Sequence, residues 1–462
     1  MNIIKKTVIV LTIIVPMVIL SGCDLEEANV NPNDVTSVPA NVLLPFNQER
    51  TARLMAGTTQ VMAGIFMQYY RGVENHPLPI QTYRVDEALY TEWNFQDYYN
   101  GPMVNLAHMI EIAETDGNMP HYVGIGKTLL ALCLGNVTSL WGDVPFTEAL
   151  KGSEFPNPKY DSQEAIYESI QQLLDEAIAE FEKENLGLTP SSDDLIFGGN
   201  SSSWLRVAYS LKARYYMHLT KRSDDLPYNP TQKALDALEN AIMSSDFDLE
   251  YQYGFSVAEQ NPFYSFCRLD YLIPNTNFTN MLLGMGDPRR SYLYRMVYGV
   301  GSLSNSYFTS PESPVLMVTY HEVKFIEAEA RLRLDVNDPL AQDALQDAVR
   351  ANILKLSNGE VNDVTIDQYI ANNATLTGDF NADLETIMKQ KYIAMFASIE
   401  SWTDYRRTGF PNLTPNEGGD HNQNPGGDIP RRLPYCQTER LYNPNLPSPL
   451  PNLQDRFWWD QE

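Results

Sequence analysis

The sequence predicts an all-α fold of stacked helix pairs with long irregular excursions between them. Three observations carry that expectation. Apolar residues recur at helical spacing, as in Ile166, Ile170, Leu173, Leu174, Ala177, Ile178 and Phe181. Helical stretches come in neighbouring pairs with small residues where they would touch: Ile166–Phe181 with Trp204–Lys221, and Tyr320–Leu334 with Pro339–Leu356. Between them, residues 246–316 and 409–462 lose the period and fill with Pro, Gly, Asn and aromatic residues.

The elements follow in order. Lys5 and Lys6 precede an apolar run from Thr7 to Leu20, the layout of a secretory signal and too short for a comfortable membrane span. Leu20-Ser21-Gly22-Cys23 closes it as a bacterial lipobox. Residues 1–22 are therefore expected to be removed, leaving Cys23 as a lipid-bearing N-terminus held at a membrane by its acyl chains. Residues 23–40, with Asp24, Glu26 and Glu27, read as an acidic, polar tether. Residues 41–462 read as a single domain.

Helices are expected over Thr58–Tyr70, Met103–Thr115 and His121–Leu140. Asp161-Ser162-Gln163-Glu164 reads as a capping box with Asp161 as the cap, and Gly187 and Pro190 end the helix that follows. Thr231 is the expected cap of a short helix through Ala234, Leu235, Leu238 and Ile242, and Leu384–Ile399 is the last clear one. Pairs of this kind resemble tetratricopeptide repeats, although a strict repeat period is absent.

Composition narrows function. The net charge is −26, and loss of Lys5 and Lys6 with the signal takes it to −28. A chain this acidic repels phosphate backbones, which excludes nucleic acid as a partner class. After Cys23, the cysteines are Cys133, Cys267 and Cys436, widely spaced and odd in number, so they form no disulfide framework or metal knuckle. A single bridge between Cys267 and Cys436 stays open. No segment after the signal reads as a second membrane span. The 27 tyrosines supply flat rings with polar tips, suited to sugar faces and wet interfaces.

Three stretches carry a family likeness. They are Leu140-Trp141-Gly142-Asp143-Val144-Pro145-Phe146-Thr147-Glu148-Ala149, then Pro158-Lys159-Tyr160-Asp161-Ser162-Gln163-Glu164-Ala165-Ile166-Tyr167, then Glu400-Ser401-Trp402-Thr403-Asp404-Tyr405-Arg406-Arg407-Thr408-Gly409-Phe410-Pro411 running on to Ile429-Pro430-Arg431-Arg432-Leu433-Pro434-Tyr435. With the lipobox, the acidic start and the terminal Phe457-Trp458-Trp459-Asp460, the chain resembles the SusD/RagB outer-membrane nutrient-binding lipoproteins, in their second, SusD-like branch. One departure is Tyr435-Cys436, where the family usually has Tyr-Pro.

The resemblance implies about four tetratricopeptide-like helix pairs with loop excursions. It also implies a lipid-anchored protein on the exterior of the outer membrane of a Bacteroidota cell. There it would cap a SusC-like TonB-dependent barrel, capture oligosaccharides and pass them on without covalent chemistry. No cofactor is implied; the acidic loops are compatible with a structural calcium, but no EF-hand spacing supports one. Arg406 and Arg407 read as buried partners of Asp404 and nearby carbonyls. Trp141, Trp402, Trp458 and Trp459 read as packing residues.

In the family, ligand contacts come from aromatic residues of the N-terminal part and of the central insertion. No motif fixes them, so the candidates rest on composition and region: Trp93, Tyr83, Arg84, Tyr264, Tyr271, Asn275 and Tyr307. The plain alternative for each is a packed loop residue. Two decoys fall away. Gly124-Ile125-Gly126-Lys127-Thr128 ends like a phosphate-binding loop but has His121 where the first glycine belongs. His321-Glu322 starts like a zinc-protease helix, but Phe325 stands where the second histidine would be. Other classes compatible with the sequence are a peptide-capturing lipoprotein, a lipid-anchored hydrolase and a protein-binding scaffold.

Overall fold

The computed structural model describes residues 38–115, 118–297, 300–304 and 306–461. The signal, Cys23 and nearly all of the tether lie outside them. From Ala40 onward the chain forms one compact unit. It is mostly helical: α1 (Ala40–Met55), α2 (Thr58–Phe66), α3 (Glu92–Tyr98), α4 (Val104–Thr115), α5 (Pro120–Trp141), α6 (Gln163–Phe181), α7 (Ser201–His218), α8 (Pro230–Leu238), α9 (Pro262–Cys267), α10 (Thr276–Gly284), α11 (Tyr320–Leu334), α12 (Pro339–Leu356), α13 (Asp363–Asn373), α14 (Phe380–Ala394), α15 (Glu400–Thr408) and α16 (Gln437–Tyr442). The expected helix pairing holds for α11 with α12. Helices α6 and α7 also pack together, but each packs more extensively on another neighbour, α5 and α8 respectively.

Helix α5 is long and apolar enough to cross a membrane, which corrects the reading that no later segment is. It is instead a core helix, with 94% of its apolar window buried. Its glycines admit the neighbouring helices. A Cβ would fall 2.6 Å from the Phe181 ring at Gly124, 2.7 Å from Ile110 at Gly126 and 2.1 Å from the Tyr215 hydroxyl at Gly135. The phosphate-loop lookalike is thus a packing face, and Lys127 bonds Glu114 at 2.9 Å and Glu176 at 3.0 Å.

Two caps differ from expectation. Ser162, not Asp161, caps α6, its hydroxyl accepting from the Ala165 amide. Asp161 accepts from the amides of Phe146 and Thr147 and so ties the first motif to the second. Asn229, not Thr231, caps α8, with Pro230 at its first position.

The central insertion is bounded and internally paired. Antiparallel strands β2 (Leu249–Tyr251) and β6 (Val315–Val318) close its base. Strand β1 (Tyr70–Gly72) pairs with β3 (Leu272–Pro274), Tyr70 opposite Pro274, and joins the insertion to the N-terminal part. Strands β4 (Arg295–Val297) and β5 (Val300–Ser302) form a hairpin. Cys133, Cys267 and Cys436 are free and buried, so no bridge joins the last two.

The C-terminal segment is held by motif residues. Trp402 donates its indole N–H to the Pro430 carbonyl at 2.7 Å, and Trp141 to that of Pro434 at 3.0 Å. The Arg406 guanidinium lies 4.0 Å from the Trp402 ring centroid and bonds the Ser139 and Arg431 carbonyls at 2.7 and 2.9 Å. Beside it, Arg407 pairs with Glu329 of α11 at 2.6 Å and with Asp404 at 2.8 Å. Arg214 of α7 grips Glu322 of α11 at 2.7 and 2.6 Å. His218 bonds Glu400 of α15 at 2.9 Å.

Burial alone would raise the Glu400 carboxyl, but the His218 ring and Arg214 guanidinium hold it down at about 2. A carboxyl held low when folded stabilises the protein above its unfolded value of 4.5. That contribution is lost as pH falls from there toward 2. Urea unfolding across this window should show a steep acid limb, shallower in Glu400→Gln. Replacing Arg407 by Met leaves Glu329 and Asp404 short of a buried partner and should cost about 3–5 kcal/mol in the same assay.

Candidate functional site

The turn after β1 carries the first candidates. Tyr83 adopts the left-handed region at φ 59° and is fully buried. Its ring packs edge-on against Phe66 with centroids 5.8 Å apart, and its hydroxyl accepts from the Asn416 amide at 2.8 Å. Burial pushes that hydroxyl up to about 12. Tyr83 therefore offers no face to a ligand. It positions a loop instead: a Cβ on Gly419 would sit 2.6 Å from its ring, so only glycine lets the 416–428 segment lie against it.

That segment is laced by hydrogen bonds between side chains and its own backbone. Asn424 donates to the carbonyls of Gly419 at 3.0 Å and Asp428 at 2.9 Å, and the Gly426 amide donates to Asp420 at 3.0 Å. His421 reaches back to the Thr82 carbonyl at 3.2 Å. The loop so held presents His421, Asn422 and Gln423 across from Arg84, Asp86 and Leu89, bounding an open cleft of ≈ 730 Å³.

Arg84, next to buried Tyr83, is exposed. Asp86 caps the following turn, one oxygen accepting from the Ala88 and Leu89 amides at 2.9 and 2.8 Å. Leu89 is 50% exposed, and Trp93, four residues along the same helical run, is 69% exposed. The run is fastened from outside: Glu87 bonds Arg440 at 2.7 Å and Glu92 accepts from the Thr438 amide at 2.9 Å. Arg84 and Leu89 thus line the cleft from one held stretch of chain, and Trp93, one helical turn beyond Leu89, stands exposed outside its lining.

The remaining candidates lie elsewhere. Asn275 is 8% exposed and caps α10, accepting from the Asn277 amide at 2.8 Å. That is a structural duty, as Tyr83's is. Tyr264, on α9, is half-buried. Tyr271 is half-buried beside β3, its carbonyl accepting from Val73 at 3.0 Å. Tyr307 is half-buried in a separate cleft of ≈ 710 Å³ with Tyr320, Glu250 and Lys355. Cys23 lies outside the described residues. Sequence reasoning passed over His421, Asn422 and Gln423. The signal was the glycine- and asparagine-rich run Asn416–Asp428, too long and too polar for a simple turn.

The cleft sets an exposed apolar side chain, Leu89, beside Arg84, Asn422 and Gln423, whose groups can donate and accept hydrogen bonds. A glycosidase needs two carboxyls facing each other across the scissile bond. Among the described residues lining this cleft, Asp86 is the sole carboxylate, and it is engaged in capping.

Comparison with solved structures shows the same fold across nearly the whole chain. A chitin-binding protein superposes with a TM-score of 0.80 at 22% identity, covering 92% of this chain and all of its own. A SusD/RagB family protein from Bacteroides thetaiotaomicron gives 0.75 at 25% identity, covering 92% of this chain and 99% of its own. A chitin-binding SusD homologue from Flavobacterium johnsoniae gives 0.75 at 20% identity, over 91% and 99%. Sequence comparison with curated proteins finds no match. The SusD-like family described as starch-binding and associating with the outer membrane matches residues 32–436, and to that family this chain belongs.

Proposed function

We propose that this protein is a non-catalytic lipoprotein on the outer face of the outer membrane that captures oligosaccharides and hands them to a TonB-dependent barrel. The observation that carries the reading is the cleft between Arg84 and the His421–Gln423 loop, with Leu89 exposed in its wall and the exposed ring of Trp93 one helical turn farther along. Flat apolar surface matches the C–H face of a pyranose ring, and side-chain amides and a guanidinium match its hydroxyls. Family membership and the chitin-binding relatives support a glycan as the ligand class. The lone, engaged carboxylate supports capture over cleavage. The lipobox at Cys23 supports the anchor.

Calorimetric titration tests the ligand. Starch-type and chitin-type oligosaccharides come first, then other glycans and peptides. Saturable binding with the sugar recovered uncut is expected; binding to peptides alone, or cleavage, would overturn the reading. Trp93→Ala and Arg84→Ala should each weaken binding by about tenfold or more, ~1.4 kcal/mol, while the melting temperature stays put because both side chains are exposed. Unchanged affinity in both variants would remove this cleft as the site.

Anchoring has its own test. Cys23→Ser should shift the protein from the membrane fraction to the soluble fraction of fractionated cells, and retention on the membrane would refute lipidation at that residue.

A further inference from the structure

A small cavity of ≈ 30 Å³ lies where the helical scaffold meets the insertion. Its walls come from separate stretches of chain: Gln60 of α2, Phe263 of α9, Phe308, Met317 of β6, His321 of α11 and Phe396 after α14. Most of that lining is apolar, but it also holds the polar side chains of Gln60, Asn261, Thr319, His321, Glu322 and Ser398. Gln60 and His321 are each 1% exposed. The Gln60 Oε1 and the His321 Nδ1 have no hydrogen-bond partner in the protein.

The orientation of Gln60 follows from its neighbours. The Tyr70 hydroxyl gives its one proton to the Gln60 main-chain carbonyl at 3.1 Å. It must therefore accept from whatever group of the Gln60 side chain faces it, at 2.6 Å, and that group is the amide nitrogen. Oε1 is left as a bare acceptor. His321 is neutral: burial, with Lys355 and Arg289 nearby, holds its ring down at about 3. A neutral imidazole has one N–H and one bare nitrogen, so Nδ1 needs a partner in either tautomer. Glu322, which also lines the cavity, cannot serve, because both its oxygens are taken by Arg214.

Buried polar atoms in native proteins are paired with protein or with ordered water. An ion is disfavoured by the donor set: Asn261, Thr319 and Ser398 already accept main-chain amides and the Glu322 carboxylate is held by Arg214, which leaves one amide oxygen and one imidazole. A sugar or other organic ligand is excluded by size. One water needs roughly 10–15 Å³, so the space suffices for about two.

We propose that this cavity is a hydration site, in which ordered water bonds His321 Nδ1 and Gln60 Oε1. Its place gives it a structural task. Through His321 the water is fixed to the scaffold helix α11. Through Gln60 and Tyr70 it reaches β1, which pairs with β3 of the insertion. The solvent molecule then completes the joint that seats the insertion on the scaffold, where direct contact leaves polar atoms unmet.

Crystals of the protein, diffracting well enough to show solvent, test this. A water peak at about 2.7–3.2 Å from His321 Nδ1 is expected. It should stay when the crystal is pressurised with xenon, which enters dry apolar cavities. An empty cavity, or one that xenon fills, overturns the proposal. A pair of variants locates the anchor. His321→Asn keeps a polar atom near the Nδ1 position and should keep the water; His321→Leu should lose it. Water persisting unchanged in the leucine variant would show that His321 does not hold it, and would equally overturn the proposal. Where the leucine variant fails to fold, the xenon experiment on the unaltered protein decides the matter alone.

Discussion

The structure depends on keeping buried guanidinium groups paired. Arg214, Arg289, Arg406 and Arg407 are each at most 2% exposed. A buried charge without partners is costly enough to unmake a fold, so each arginine obliges a distant segment to be in place. Arg214 requires α11, through Glu322. Arg407 requires α11 again, through Glu329. His218 and Glu400 close the triangle between α7 and α15. Arg289, paired with Asp287, also bonds Asn352, Tyr369 and Gln390, which binds the insertion to α12, α13 and α14 at once. Arg406 has no carboxylate within bonding distance among its hydrogen-bond partners; carbonyls and the rings of Trp402, Phe457 and Trp459 surround it. Burial accordingly pulls it down to about 9. That cage exists only when the C-terminal segment has closed over α15, so the irregular tail is part of the core.

A scaffold fixed in this way frees its outer segments for recognition. The candidate cleft is made of a turn and a loop, yet neither stands alone. Tyr83 is buried against Phe66 and anchors Asn416, while Glu87 and Glu92 are fastened by α16. Side chains on such a turn lose little freedom on meeting a ligand, which lowers the entropic cost of binding. The same logic explains why adjacent residues part company: Tyr83 faces inward to hold the loop, and Arg84 faces outward to use the space the loop bounds.

Much of this architecture is legible in the sequence, and the reasons for success and failure are physical. Helices α6, α11 and α12 announce themselves because a packed face repeats with the helical turn. Caps are harder. In Asp161-Ser162 two residues compete for one role, and the winner is set by a tertiary demand, the amides of Phe146 and Thr147, that no local pattern reveals. The apparent contradiction of α5, apolar enough for a bilayer yet sheathed in protein, resolves through Gly124, Gly126 and Gly135, which mark close helix contacts. Loop aromatics carry no period at all. No local pattern separates Tyr83, Arg84 and Trp93, and Tyr83 is fixed inward in part by Asn416, 333 residues downstream.

The tryptophans make the final discrimination. Trp141, Trp204, Trp402 and Trp459 are fully buried, and the first three give their indole N–H to a partner, at 3.0, 2.8 and 2.7 Å. Packing and hydrogen bonding account for those three completely. Neither accounts for Trp93, whose ring stands in water on a helix already secured by Phe95 and Tyr98 on its inner side. Leaving that much apolar surface solvated contributes nothing to the fold, and the proposed glycan contact would give it a use. Under the proposed function, the open cleft lined by Arg84 and Leu89 suits a long ligand: a deep pocket selects chain ends, whereas an open trough engages a few residues anywhere along a polymer, whose ends are rare and whose middle is abundant.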